Sequence, residues 1–154
     1  MDADQRRALI DRYRDGPQVV ADALAGATDA ELDRDPGGGE WTARQVAPHL
    51  ADSEATSYIR LRRLVAEDDP VIAAYDENLF ARRLHYDRPV AASLDVLRAV
   101  RAASAELLDV LTEDEWSRSG THTDDGPYSV DIWLENYAAH AHDHADQIRR
   151  ALGR

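Results

Sequence analysis

Between Trp133 and Ala151 the residues Trp133, Tyr137, His140, His144, Gln147, Ile148 and Ala151 recur at intervals of three and four. That spacing marks one face of an α-helix, whereas a half-buried strand alternates every second residue. Three more segments carry the same signature. Leu9, Ile10, Tyr13, Val20, Ala23 and Leu24 form one stripe, and Val46, His49, Leu50, Ser53, Ser57, Leu61 and Leu64 a second. Val90, Leu94, Leu97, Val100, Ser104, Leu108 and Leu111 form the third. Four long one-sided helices cover their apolar faces most simply by packing on one another, so the expected fold is all-α, a four-helix bundle. The helices are expected near residues 3–26, 42–68, 89–112 and 129–152, with one short helix between Glu77 and Arg83 and no strand of useful length.

Punctuation between the stripes agrees with this division. Asp35-Pro36-Gly37-Gly38-Gly39 is turn chemistry, as are Ser119-Gly120 and Gly126-Pro127. Thr42 followed by Gln45 is a capping-box pattern, and Ser129 with Asp131 suits the start of the last helix. Gly16-Pro17 predicts a kink or two abutting helices, and Pro48 a bend, since proline inside a helix removes a hydrogen bond. The whole chain, residues 1–154, reads as one domain.

Composition narrows the function classes. The net charge of −12 opposes binding to nucleic acid phosphates or an anionic membrane. No apolar run reaches bilayer length and the N-terminus lacks the apolar stretch of a secretory signal, so a cytoplasmic location is expected. Cysteine is absent, which excludes disulfides, thiolate ligands and a cysteine nucleophile. All 18 basic residues are arginine, so there is no Schiff-base lysine either.

The histidines are the informative residues. His140 and His144 lie one helical turn apart on the inward stripe, and His49 lies on the inward stripe of the second helix. If those helices are neighbours, three imidazoles converge. Such a set suits a divalent metal with an open coordination position, zinc or nickel first, with iron and manganese as alternatives. The competing reading makes them hydrogen-bonded core histidines. His142 points to the far side of its helix, and His85 has no partner at helical spacing. Asp52 and Glu54 read most simply as helix-surface charges, with Asp52 also placed to orient the His49 ring. Tyr137 and Gln147, on the ligand face, are candidates for orienting a substrate; His122 reads first as a structural loop contact, or as a proton carrier if its loop folds over the site.

Glu40-Trp41-Thr42-Ala43-Arg44-Gln45-Val46, running on to His49-Leu50-Ala51-Asp52-Ser53-Glu54, resembles the first motif of the DinB/YfiT-like superfamily. His140-x-x-x-His144-x-x-Gln147-Ile148 is similar to its last motif, and Gly120-Thr121-His122 with Gly126-Pro127 to the loop before that helix. The resemblance implies an up-down-down-up bundle holding a divalent metal on His49, His140 and His144. It also implies one of several activities: metal-dependent isomerases, S-transferases that use low-molecular-weight thiols, and members carrying a hydrolase label. Asn136 departs from the pattern, standing where relatives often have another histidine. The expected function is therefore a metal-dependent enzyme acting on a small molecule, of hydrolase or thiol S-transferase type. Any thiol would arrive as a cosubstrate. The alternative is a non-catalytic metal-binding or stress-response bundle, and homodimers are expected in either case.

Overall fold

The computed structural model describes residues 1–154. In chain order the elements are α1 (Ala3–Leu24), α2 (Asp29–Leu32), α3 (Ala43–Ala66), β1 (Val71–Ile72), α4 (Glu77–Arg83), α5 (Ala91–Leu108), α6 (Glu113–Trp116), β2 (Ser119–His122), β3 (Gly126–Ser129) and α7 (Val130–Leu152). The four long helices fall where the stripes place them, each end within a few residues. Capping explains the sharp starts. Asp2, Thr42 and Ser129 accept backbone N–H bonds at the N-termini of α1, α3 and α7, and Gly153 closes α7 in the left-handed conformation. Gly16-Pro17 does not divide α1, which is one continuous helix with Pro17 inside it.

Around the bundle, α1 neighbours α7 and α5, while α3 neighbours α5 and α7. Directions follow from paired side chains. Arg6 meets Asp131 near the starts of both α1 and α7, so these helices run parallel. Glu54 meets Arg101 while Arg62 meets Ser104, so α3 and α5 also run together. His49 opposite His144 and Ser57 opposite Trp133 make α3 and α7 antiparallel. The topology is up-down-down-up, a four-helix bundle.

Small residues allow α1 and α7 to approach closely. Ala138, Ala141 and Ala145 are fully buried, and a methyl group on Gly16 would stand 2.8 Å from Ala141 Cβ and closer still to the Arg101 guanidinium. Around this contact the core divides into two clusters. Tyr13, Leu61, Leu64, Leu108 and Trp133 belong to one, and Val20, Val46, Leu50, Leu97 and Ile148 to the other.

Two expectations need correcting. The chain contains a three-stranded sheet of order β1-β2-β3, β1 parallel to β2 and β2 antiparallel to β3. Strands of two to four residues are too short to show an alternation, and they exist because the bundle brings Pro70 to Gly120. Only glycine fits there, since Pro70 Cγ lies 2.9 Å from where a Cβ would sit. The free edge of β1 is covered by arginines of α3: Arg63 donates to Val71 O and Arg60 to Ala73 O.

The second correction is Glu54, which is a core residue with no exposure. Its Oε1 accepts Arg101 Nε at 2.9 Å and its Oε2 accepts the Tyr13 hydroxyl at 3.1 Å. Arg101 also donates to Tyr13 O and Tyr137 O, tying α1, α3, α5 and α7 together. No helix is long and apolar enough to cross a membrane.

Candidate metal centre

The antiparallel register of α3 and α7 sets the site. His49, fully buried, faces His140 and His144 across the helix interface. The Nε2 atoms of His49 and His144 lie 3.1 Å apart, and those of His144 and His140 also 3.1 Å. One ligand nitrogen from each residue lies within 4.8 Å of the other two. Trp41, just before α3, packs on the His49 ring at 4.7 Å, and Tyr137 on the His140 ring at 5.7 Å.

The chemistry of this donor set fits a metal ion. Burial pushes the His49 pKa down to about 3, with the His144 charge adding to the effect. His140 is held well below the ordinary histidine range by burial and by His144, His49 and Arg101, and His144 is lowered by burial too. Three neutral imidazoles therefore meet at neutral pH. Gln147 Oε1 accepts from His144 Nδ1 at 2.7 Å, which leaves the His144 Nε2 lone pair pointing into the centre. At this distance the His49 and His140 rings can each share a hydrogen bond with His144 Nε2, or all three can turn lone pairs onto one cation among them. Nitrogens bound at about 2.0–2.1 Å to one tetrahedral ion stand about 3.3 Å apart, close to the observed spacing. The outer nitrogens are less provided for: His49 Nδ1 and His140 Nδ1 are buried without partners.

Each remaining candidate now has a place. Gln147 Oε1 is engaged by the His144 ring. Asp52 does not reach His49 Nδ1; its carboxylate turns to Arg88, 3.7 Å away. His142 is half-buried and meets the Arg12 carbonyl at 3.0 Å on α1, away from the triad. His85 is exposed, in a left-handed turn with φ 53°.

The β2–β3 hairpin does fold over the site. A cleft of about 280 Å³ is lined by His140 and Tyr137 on one side and by His122, Tyr128, Arg60 and Tyr75 on the others. His122 is buried, its Nδ1 lying 3.0 Å from the Asp125 carboxylate, with its ring against Tyr128. Asn136 also lines the cleft. Sequence reasoning missed Arg60 and Tyr75. Arg60 follows the polar spacing of a helix surface, and the residues around Tyr75 have no periodicity to read.

The comparisons with known proteins agree with this geometry. The curated "Putative metal-dependent hydrolase YfiT" of Bacillus subtilis is 32% identical over 150 residues, covering 94% of this chain and 83% of that protein. A similarly named protein of Oceanobacillus iheyensis is 32% identical over 139 residues, covering 90% and 81%. The solved structure of Bacillus subtilis YfiT, described as a probable metal-dependent hydrolase with an unusual four-helix bundle topology, superimposes with a TM-score of 0.91. That match has 29% identity and covers 99% of this chain and 90% of that one. The family model of the DinB superfamily matches residues 12–148, and the chain belongs to that superfamily.

Proposed function

We propose that this protein is a divalent-metal-dependent enzyme whose ion is held by His49, His140 and His144. The observation that carries this reading is the convergence of three neutral Nε2 atoms, 3.1 Å apart in two of the pairs, at the edge of a cleft. Held by these three histidines, a divalent ion would supply Lewis-acid chemistry, lowering the pKa of a nucleophile at neutral pH. The surrounding residues have separate tasks. Gln147 holds the His144 tautomer, and Trp41 and Tyr137 fix the ring planes of His49 and His140. His122 stands across the cleft, where its Nε2 can exchange a proton with the reacting groups while Asp125 steadies its other nitrogen.

Hydrolysis is the reaction type that the names of the relatives favour. Transfer to a low-molecular-weight thiol would draw on the same Lewis-acid chemistry, and with no cysteine in the chain the thiol would come from outside it.

The test is metal stoichiometry in untagged protein. His49→Ala, His140→Ala and His144→Ala should each lose most of the metal, while His142→Ala keeps it. Retention by His140→Ala, or loss from His142→Ala, would refute the assignment. A screen of ester and amide hydrolysis, with and without added thiol, run on metal-loaded and chelated protein, then separates the two reaction types.

A further inference from the structure

Arg60 is the only arginine lining the cleft beside His140. The fully buried arginines each meet a carboxylate, Arg6 with Asp131, Arg44 with Asp33 and Arg101 with Glu54, whereas half-buried Arg62, away from the cleft, is satisfied by Tyr58 O, Ser104 Oγ and Ala103 O. Arg60 has no carboxylate within 4 Å, although the chain carries 30 acidic residues. Its protein partners are neutral oxygens, the Tyr137 hydroxyl at 3.2 Å and the Ala73 carbonyl at 2.6 Å. Its Nε–H is buried with no partner, and its guanidinium stands 5.8 Å from the centre of the Tyr75 ring. A half-buried cation satisfied only by neutral acceptors retains most of its attraction for an anion.

The neighbouring hydrogen bond has a direction that matters. Tyr137 Oη accepts from Arg60, so its own hydrogen points elsewhere, toward Ser53 on the cleft wall or toward a group in the cleft. The Tyr137 ring in turn packs on His140. Arg60, Tyr137 and His140 thus form a line from the cleft to the histidine triad, with two donors at its outer end. The acidic residues of the cleft do not cancel this arrangement. Asp124 and Asp125 are exposed on the hairpin loop, with Asp125 turned to His122, and Glu77 feels the Arg60 charge but stays beyond 4 Å and makes no hydrogen bond to it, so the donors of Arg60 are not taken up.

We propose that this cleft takes a substrate bearing a carboxylate or similar monoanionic group, received by Arg60 and the Tyr137 hydroxyl, with the reacting bond directed toward His140. The direction rests on the triad being the reacting centre; the anion subsite stands without it.

The experiment uses a carboxylate and its neutral isostere, benzoate and benzamide, titrated by amide NMR into chelated and metal-loaded protein. In chelated protein benzoate should bind at least about tenfold more tightly than benzamide, the order expected of a charge-assisted contact. Arg60→Gln should abolish that preference. Tyr137→Phe, which keeps the buried ring, should reduce it several-fold, so the subsite remains testable if Arg60→Gln unfolds. Absence of benzoate binding, equal binding of the two probes, or a preference that survives Arg60→Gln would overturn the proposal. So would a preference seen only in metal-loaded protein, because the carboxylate would then be sitting at the triad. Metal stoichiometry, measured separately, reports on the triad and is not affected by any of these outcomes.

Discussion

The Glu54–Arg101 pair links four helices one layer beneath the triad, and its removal should behave asymmetrically. The side chains are 0% and 1% exposed, so neither charge has water to fall back on. The Glu54 carboxyl is raised from its usual range because burial outweighs the attraction of Arg101 and the Tyr13 hydroxyl. The pair therefore adds little net stability, yet breaking it leaves one buried charge alone, at a cost of about 3–5 kcal/mol. Glu54→Gln keeps the shape and strands the guanidinium, which cannot lose its proton, so its cost should be large.

Arg101→Met strands a carboxyl that can escape by staying protonated. Above the unfolded pKa of about 4.3 the unfolded chain then holds fewer protons than the folded one, so stability falls as pH rises. The slope reaches at most about 1.4 kcal/mol per pH unit. Urea unfolding of both single variants and the double variant, at about pH 5 and about pH 8, measures these terms. The double variant should be more stable than additivity predicts by at least about 2 kcal/mol. A Glu54→Gln cost below about 1 kcal/mol, additive single effects, or a pH-independent Arg101→Met would refute the reasoning.

Other consequences can be checked separately. Gln147→Ala removes the acceptor of His144 Nδ1 and should weaken metal binding about 10–100-fold without unfolding the protein, as measured by chelator competition. In chelated protein His49 stays neutral down to about 3, whereas an unfolded histidine takes up a proton near ~6.5. Between those values the unfolded chain binds more protons, so the melting temperature should fall as pH drops from about 7 to about 4, and His49→Leu should flatten the slope. Gly16→Ala places a methyl against Ala141 and the Arg101 guanidinium; it should cost about 1–3 kcal/mol in urea unfolding, although alanine is normally the better helix former.

The four helices and the triad were legible in the sequence because both depend on helical geometry. Apolar spacing says which face of a helix turns inward, and His140 and His144 share a face whatever packs against it. The histidine of α3 needed one further condition, adjacency to α7, which spacing does not contain and the resemblance supplied. Glu54 shows what a polarity pattern cannot convey. A carboxylate reads as surface until Arg101, 47 residues away, is brought against it by the parallel packing of α3 and α5. Gln147 likewise acquires its role only when the His144 ring takes up its rotamer, and Asp52 loses a possible one because Arg88 lies nearer than His49 Nδ1.

The small sheet and the cleft are tertiary in origin. Strands of two to four residues have no stability of their own, and they pair because α3, α5 and α7 bring their ends together. Periodicity along the chain determined which residues face inward. Which inward residues meet, and which charge is left without a partner, was decided by contacts between residues far apart in the chain.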